Sequence, residues 1–89
     1  MNYKQLDYNL NIKKEYNNKQ QILDYLKKGE DIGALAGSYK DPFNGERVID
    51  NGIYSDGEYM WNGLVIYLFD KYSIELEMNF VNKINKKQN

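Results

Sequence analysis

The chain has 89 residues, 42% of them hydrophobic and 28% charged, and its net charge at pH 7 is −1. This balance is typical of one small globular domain over residues 1–89 and excludes a polyelectrolyte or a chain too polar to fold. Because Cys and His are both absent, disulfides, thiolate and imidazole metal sites, and Ser-His-Asp catalysis are excluded. No apolar run approaches the ~18–20 residues of a membrane span, and no signal segment is recognisable. We therefore expect a cytoplasmic protein that is neither an enzyme nor membrane-bound.

The first part of the chain predicts a short strand and then a helix. Apolar and polar residues alternate from Tyr8 to Ile12, so residues 1–16 are interpreted as an extended arm or an edge strand. Residues 17–28 predict a helix, because Asn residues suited to an N-cap precede a stripe of apolar residues at helical spacing. Gly29 is placed to end that helix.

The centre of the chain predicts short strands joined by tight turns. Residues 32–40 are small and apolar, as in a strand that another backbone approaches closely. Residues 41–45 hold the only Pro and an Asn-Gly pair, which together are a strong turn signal. A second Asn-Gly pair at 51–52 and an Asp-Gly pair at 56–57 predict two further turns. This spacing is typical of an antiparallel meander of three or four strands.

The last third predicts two helices. Residues 62–72 are apolar on most sides, which is typical of a buried helix, and Asn62 is available as its cap. Residues 77–86 predict a final amphipathic helix, and the polar tail 85–89 is expected to fray. The fold class is therefore α+β, a small antiparallel meander packed against about three helices. The predicted core consists of Leu23, Leu26, Trp61, Val65, Leu68, Phe69, Tyr72, Phe80 and Ile84.

Charge is distributed unevenly along the chain. Residues 1–40 carry +2, residues 41–77 carry −6 and residues 78–89 carry +3. An acidic middle does not favour a phosphate backbone as its partner, so nucleic-acid binding is not expected there. It suits a basic protein surface, because complementary charge speeds encounter and rejects wrong partners. The alternative is that the carboxylates form an ordinary solvated face.

Carboxylates are the general acid/base groups that the chain has in number. Asp56 and Glu58 are two residues apart and would share a strand face, with Glu46 and Asp50 nearby. A glycosidase needs two such groups across a cleft, for which this domain has little room. A cation site around Asp50, Asn51, Asp56 and Glu58 lacks the spacing of a calcium loop. We therefore expect no catalytic residue, no metal and no cofactor.

Aromatic residues interleaved with Lys raise a different possibility. Side chains of this kind can stack on single-stranded nucleic acid. The acidic middle and the absence of an RNA-recognition strand motif argue against that role. The residues that would form such a platform are Tyr3, Tyr8, Tyr16 and Tyr39 with Lys4, Lys13, Lys14 and Lys40.

Tyr residues among carboxylates have the composition of a protein interface, where rigid aromatics anchor a partner and charge selects it. We expect the binding face to lie in the acidic middle, where Gly turns present side chains outward. The competing interpretation is that Tyr54 and Tyr59 point into the core and that the carboxylates only keep the protein soluble. The candidate partner-binding residues are Glu46, Asp50, Tyr54, Asp56, Glu58 and Tyr59.

The stretch from residue 55 to residue 84 contains Asp56-Gly57-Glu58, Trp61, Tyr67, Lys71-Tyr72, Leu76 and Phe80-Val81. In these residues it resembles a pattern found in small bacterial immunity proteins. These proteins accompany the toxins of contact-dependent growth inhibition and related polymorphic-toxin systems. The chain departs from the pattern at Leu64 and Leu68, where an acid and a second Tyr often stand, and at Glu77, where Pro is common. The resemblance covers roughly the C-terminal third of the chain.

This resemblance implies a cytoplasmic antidote that binds and neutralises a cognate toxin domain, often a nuclease, and implies no catalytic residue. Nucleases are basic where they hold phosphates, so an acidic inhibitor can match that surface. The alternative is a small inhibitor from a mobile element, or an accessory protein associated with nucleic acid. The sequence leaves open the toxin's identity and the oligomeric state of this chain.

Overall fold

A computed structural model describes residues 2–87, which form eight strands and three helices. The α+β class is confirmed. Among these residues, no helix has the length and hydropathy to cross a membrane. In chain order the elements are β1 (Lys4–Gln5), β2 (Tyr8–Lys13), α1 (Lys19–Lys27), β3 (Glu30–Ala34), β4 (Tyr39–Lys40), β5 (Arg47–Val48), β6 (Gly52–Ser55), β7 (Tyr59–Asn62), α2 (Gly63–Tyr72), β8 (Ile74–Leu76) and α3 (Met78–Lys87).

The main sheet has four strands in the order β1-β7-β6-β3. β3 pairs antiparallel with β6, and β6 pairs antiparallel with β7 across the turn at Asp56-Gly57. β1 pairs parallel with β7, with Lys4 opposite Tyr59. The expected meander therefore needs correction, because the sheet is mixed. Its first strand comes from the segment 1–16, where an edge strand was one of the two expectations.

A separate two-stranded ribbon, β4 and β5, interrupts the path from β3 to β6. Its turn is the predicted one at 41–45, where Gly45 has a φ of +74° and donates to the Asp41 carbonyl at 2.9 Å. The turn predicted at 51–52 is wrong, because Gly52 begins β6 and lacks a positive φ. A Cβ at Gly52 would lie 2.6 Å from the Tyr54 hydroxyl oxygen. This glycine therefore serves close packing.

The second ribbon pairs β2 with β8, and it confirms the strand predicted from the alternation at Tyr8–Ile12. Tyr8 lies opposite Leu76, and the two-residue spacing of Ile74 and Leu76 turns both side chains into the core. The ribbon continues along the chain into α3. Because β8 ends at Leu76 and α3 begins at Met78, the pairing of β8 with β2 also positions the start of the last helix.

The three helices lie within about two residues of their predicted bounds, which is the usual uncertainty of helix ends. Asn62 caps α2 as expected, accepting a hydrogen bond from the Val65 amide at 3.0 Å. Asn18 precedes α1, but its side chain makes no capping hydrogen bond. The predicted fraying needs correction for residues 85–87, because α3 continues through Lys87. Residues 88 and 89 lie outside the described part of the chain.

One hydrophobic core joins the main sheet to the three helices. Of the nine residues predicted for it, eight are buried, and Tyr72 is half-buried at its margin. The indole of Trp61 donates from Nε1 to the Leu26 carbonyl at 3.0 Å, which ties β7 to the last turn of α1. Burial adds six residues that were not predicted: Leu6, Ile22, Tyr59, Ile66, Ile74 and Leu76.

Candidate functional site

The structure does not place the six candidate residues on one acidic face. Three of them surround Lys83 of α3, two bind each other near the β3 edge of the main sheet, and one lies in the β4–β5 turn. Each group has its own hydrogen-bond partners. The three groups are Asp56, Glu58 and Tyr59; Asp50 and Tyr54; and Glu46.

Asp56 is an internal ion-pair partner, with only 7% of its side chain exposed. Its Oδ2 accepts hydrogen bonds from Lys83 Nζ at 2.8 Å and from the Tyr25 hydroxyl at 2.7 Å. Its Oδ1 accepts from the amides of Glu58 and Tyr59. Burial opposes ionisation, but these donors outweigh it and lower the pKa of Asp56 to about 2. All of this bonding capacity is used within the fold.

Glu58 and Tyr59 are also engaged internally. Glu58 lies 2.9 Å from Lys83 Nζ and 3.4 Å from Lys4 Nζ, and these two cations lower its pKa. Tyr59 is 4% exposed, and its ring meets Phe80 edge-on at a centroid distance of 5.2 Å. The expectation that Tyr59 faces outward as an anchor is therefore wrong. Its place is in the core, as the competing interpretation held.

Asp50 and Tyr54 form the second group, at the margin of the core. The Tyr54 hydroxyl lies 2.8 and 2.9 Å from the two Asp50 carboxylate oxygens, and Asp50 Oδ1 also accepts from the Gly52 amide. Asp31 of β3 lies opposite Tyr54 in the sheet register. Burial, the hydrogen bond to Asp50 and the charge of Asp31 together raise the pKa of Tyr54 to about 12. Asp50 therefore contacts the Tyr54 hydroxyl directly, while Asp31 acts on it through its charge.

Glu46 is exposed in the turn of the β4–β5 ribbon. Asp41, at the start of the same turn, is buried and attaches the ribbon to α2. Asp41 is 1% exposed and accepts from the hydroxyls of Tyr67 at 2.7 Å and Tyr72 at 2.6 Å. Burial opposes its ionisation, but these two donors and nearby backbone amides lower its pKa to about 2. Sequence reasoning placed Asp41 in a turn and did not predict its role as a buried acceptor. It explains why Tyr72 stays at the core's margin.

Several large apolar side chains are exposed near β3, which is an edge strand of the main sheet. Every residue of β3 is exposed, and two loops next to it expose Leu35 (40%) and Ile49 (92%). Three hydrogen bonds hold these loops together: the Leu35 amide donates to the Asn51 carbonyl, and Asn51 Nδ2 donates to the carbonyls of Leu35 and Gly37. We call this area the β3 surface and define it as Glu30, Asp31, Ile32, Leu35, Ile49 and Asp50.

Of the expected residues, only Asp50 belongs to the β3 surface, with Tyr54 directly behind it. Glu30 and Asp31 of the β3 surface were not predicted, because they stand outside the most acidic segment of the sequence, residues 41–77. The available signal was local, since acidic residues directly adjoin large apolar ones at 31–32 and 49–50. Among the described residues, no ion pair involves Glu30, Asp31 or Asp50. These charges are therefore not neutralised by a neighbouring cation in contact.

The sequence also raised a cation site and base stacking by Tyr16 as possibilities. Within residues 2–87, no group of three or more acidic side chains is placed to hold a metal ion. Tyr16, considered for base stacking, packs its ring against Phe69 at 5.3 Å, and its hydroxyl accepts from the Leu76 amide. That side chain therefore supports the core.

Comparison with known proteins gives no match: no family model fits the chain, and no curated protein or solved structure matches it. The role of the protein has to follow from its own surfaces. On the β3 surface, exposed apolar side chains lie near carboxylates that form no ion pair among the described residues.

Proposed function

We propose that this chain is an immunity protein that binds and neutralises a cognate bacterial toxin domain in the cytoplasm. The observation that carries the proposal is the β3 surface, where Ile32, Leu35 and Ile49 are exposed beside three acidic side chains. Exposed large apolar side chains together with charged ones have the composition of a protein interface. The protein acts by binding, and catalysis has no part in the proposal.

The charge of the β3 surface indicates a basic partner. In the part of the chain that the structure describes, its three carboxylates form no ion pair, whereas Asp56 and Glu58 are paired with Lys83. A toxin that cuts nucleic acid needs a basic groove for its substrate, and an acidic inhibitor matches the charge of that groove. Attraction between the two surfaces speeds their encounter, which suits an antidote that must act before damage occurs.

The residues that resemble immunity proteins have structural roles in this chain. Tyr67 and Tyr72 hold Asp41, while Asp56 and Glu58 hold Lys83. The resemblance therefore supports a shared scaffold, and the β3 surface lies outside it. This arrangement suits a group of inhibitors in which the framework is kept while the contact surface follows a particular toxin.

The test is a binding assay with the C-terminal domain of the protein encoded immediately upstream, together with protection of cells that express that domain. A triple variant, Glu30→Gln, Asp31→Asn and Asp50→Asn, removes three charges from the β3 surface while keeping hydrogen-bond acceptors. The matched control, Glu15→Gln, Asp24→Asn and Asp70→Asn, removes three charges from exposed positions elsewhere. We expect the first variant to associate about tenfold more slowly at low salt and with a weaker salt dependence.

Two results would overturn the proposal. One is a wild-type chain that neither binds the upstream toxin domain nor protects cells from it. The other is equal association by the two triple variants, which would place the interface away from the β3 surface. Oligonucleotide binding with a steep salt dependence would instead support the accessory role considered from the sequence.

A further inference from the structure

The edge of β3 is an open site for strand pairing. β3 is the last strand of the four-stranded sheet, and within residues 2–87 no strand pairs with its outer side. It is five residues long, whereas the opposite edge, β1, has two. An edge strand presents a row of backbone N–H and C=O groups that another extended chain can pair with.

The register identifies which backbone groups of this edge face outward. Leu35 turns both its N–H and its C=O toward Asn51, on the inner side. Backbone direction alternates along an antiparallel pair, so Ala34, the preceding residue, turns its N–H and C=O away from β6. Ala34 lies opposite Gly52, past the irregularity in pairing between Asp31 and Gly33. Its outward groups are therefore available to a second chain.

The features that protect an edge strand lie at the start of β3, where Glu30 and Asp31 are charged and the pairing is irregular between Asp31 and Gly33. From Ala34 to Ser38 the side chains are neutral. Natural edge strands carry Lys or Pro to prevent pairing, and residues 30–38 contain neither. From Gly33 to Gly37 the only large side chain is Leu35, and a Cβ at Gly37 would find no atom within 4 Å. The acidic residues Glu30 and Asp31 lie at one end, where they attract an approaching basic segment.

We infer that the partner adds an extended basic segment to the sheet at β3, pairing its backbone with Ala34 and placing apolar side chains against Ile32 and Leu35. This inference rests on the proposed function, because the segment is taken to belong to the toxin domain. The acidic end of β3 fixes the segment's direction by meeting its Lys or Arg residues. Backbone pairing supplies affinity, and the flanking side chains supply specificity.

Substitution of Ala34 separates backbone pairing from side-chain contact. Ala34→Pro removes the outward N–H without removing an inner hydrogen bond, a change that edge strands tolerate. Ala34→Val adds a side chain of similar size and keeps the N–H. We expect the Pro variant to bind the upstream toxin domain at least tenfold more weakly, mainly through faster dissociation. The Val variant should bind within about threefold of the wild type.

Hydrogen exchange on the wild-type complex provides a measurement that needs no variant. The Ala34 amide should exchange fast in the free protein and become at least tenfold slower in the complex. This readout decides the inference even if the Pro variant fails to fold.

Three outcomes overturn the inference. Unchanged exchange at Ala34 in a complex that the β3-surface charge variant weakens would reject strand addition and leave the proposed function standing. A wild-type dimer that Ala34→Pro dissociates would assign the edge to a second copy of this chain. A wild-type chain that binds no toxin domain would reject both proposals.

Discussion

The Lys83 ammonium of α3 lies 2.8 Å from the Asp56 carboxylate in the turn between β6 and β7. The two side chains are 22% and 7% exposed, so the pair is largely withdrawn from water. It connects the last helix to a turn 27 residues earlier, and Tyr25 of α1 donates to the same carboxylate oxygen. One carboxylate therefore joins three elements of the fold.

Lys83→Met should lower the free energy of unfolding by roughly 1–3 kcal/mol, because it leaves Asp56 nearly buried without its cation. Met keeps most of the apolar stem, so lost packing contributes little. Lys86→Met is the matched control, since Lys86 is exposed on the same helix and has no ion pair among the described residues. Equal denaturant midpoints for the two variants would show that the Lys83–Asp56 pair contributes nothing net.

Acid should destabilise the protein through Asp41 and Asp56. Both carboxyls have a pKa of about 2 in the folded state, against an ordinary value of 3.8. The folded state therefore binds fewer protons than the unfolded state between these values, so the stability they contribute is present above about pH 4 and is lost as the pH falls toward 2. Unfolding free energies measured from pH 7 to pH 2 should fall through that window.

Asp41→Asn should reduce the steepness of this acid dependence. Asp70→Asn removes the same charge from an exposed position on α2 and is the reference for a general loss of negative charge. If the two variants lose stability with the same slope between pH 4 and pH 2, the Asp41 carboxylate is not the group responsible.

Gly29→Ala should destabilise the junction between α1 and β3. A Cβ at this position would lie 2.7 Å from Trp61 Cζ2 and 3.0 Å from Tyr54 Cβ, so two packed side chains must shift. We expect a loss of roughly 1–3 kcal/mol by thermal or chemical unfolding. Gly37→Ala is the control, because no atom lies within 4 Å of its Cβ position. A Gly29 variant as stable as the Gly37 variant would contradict the packing described.

Tyr54→Phe should change the response to alkali. The pKa of Tyr54 is raised from 10.0 to about 12, so its neutral form contributes stability below pH 10 that is lost as the pH rises toward 12. Tyr25 shows the same rise, through burial and its hydrogen bond to Asp56. Tyrosinate absorbance of the wild type should show one more group titrating near pH 12 than that of Tyr54→Phe. Loss of two groups, or of none, would reject the assignment.

Helical spacing predicted much of the core from the sequence. In α2, Val65, Leu68 and Phe69 are spaced so that they lie on one side of a helix, and all three are buried in the structure. The error at Tyr59 was avoidable. Trp61 was assigned to the core, and residues two apart in a strand share a face, so Tyr59 had to lie beside it.

Other features had no local signal. β1 pairs with β7, some 55 positions along the chain, and nothing in the two residues Lys4 and Gln5 specifies that partner. The burial of Asp56 depends on Lys83, and that of Asp41 on the hydroxyls of Tyr67 and Tyr72. The sequence predicted a charged face of carboxylates, but Asp41 and Asp56 are internal acceptors. Their side-chain donors lie on helices distant in the sequence and reach them only in the folded protein.

The hydrogen bond from Trp61 to the Leu26 carbonyl gives the protein a built-in optical probe. Trp61 is the chain's sole tryptophan, so all indole emission comes from the point where α1 meets β7. Leu26, whose carbonyl accepts this bond, lies three residues before Gly29, where the backbone passes from α1 into β3. A ligand that shifts β3 relative to α1 alters the environment of this fluorophore, and its arrival can be followed in real time without a label.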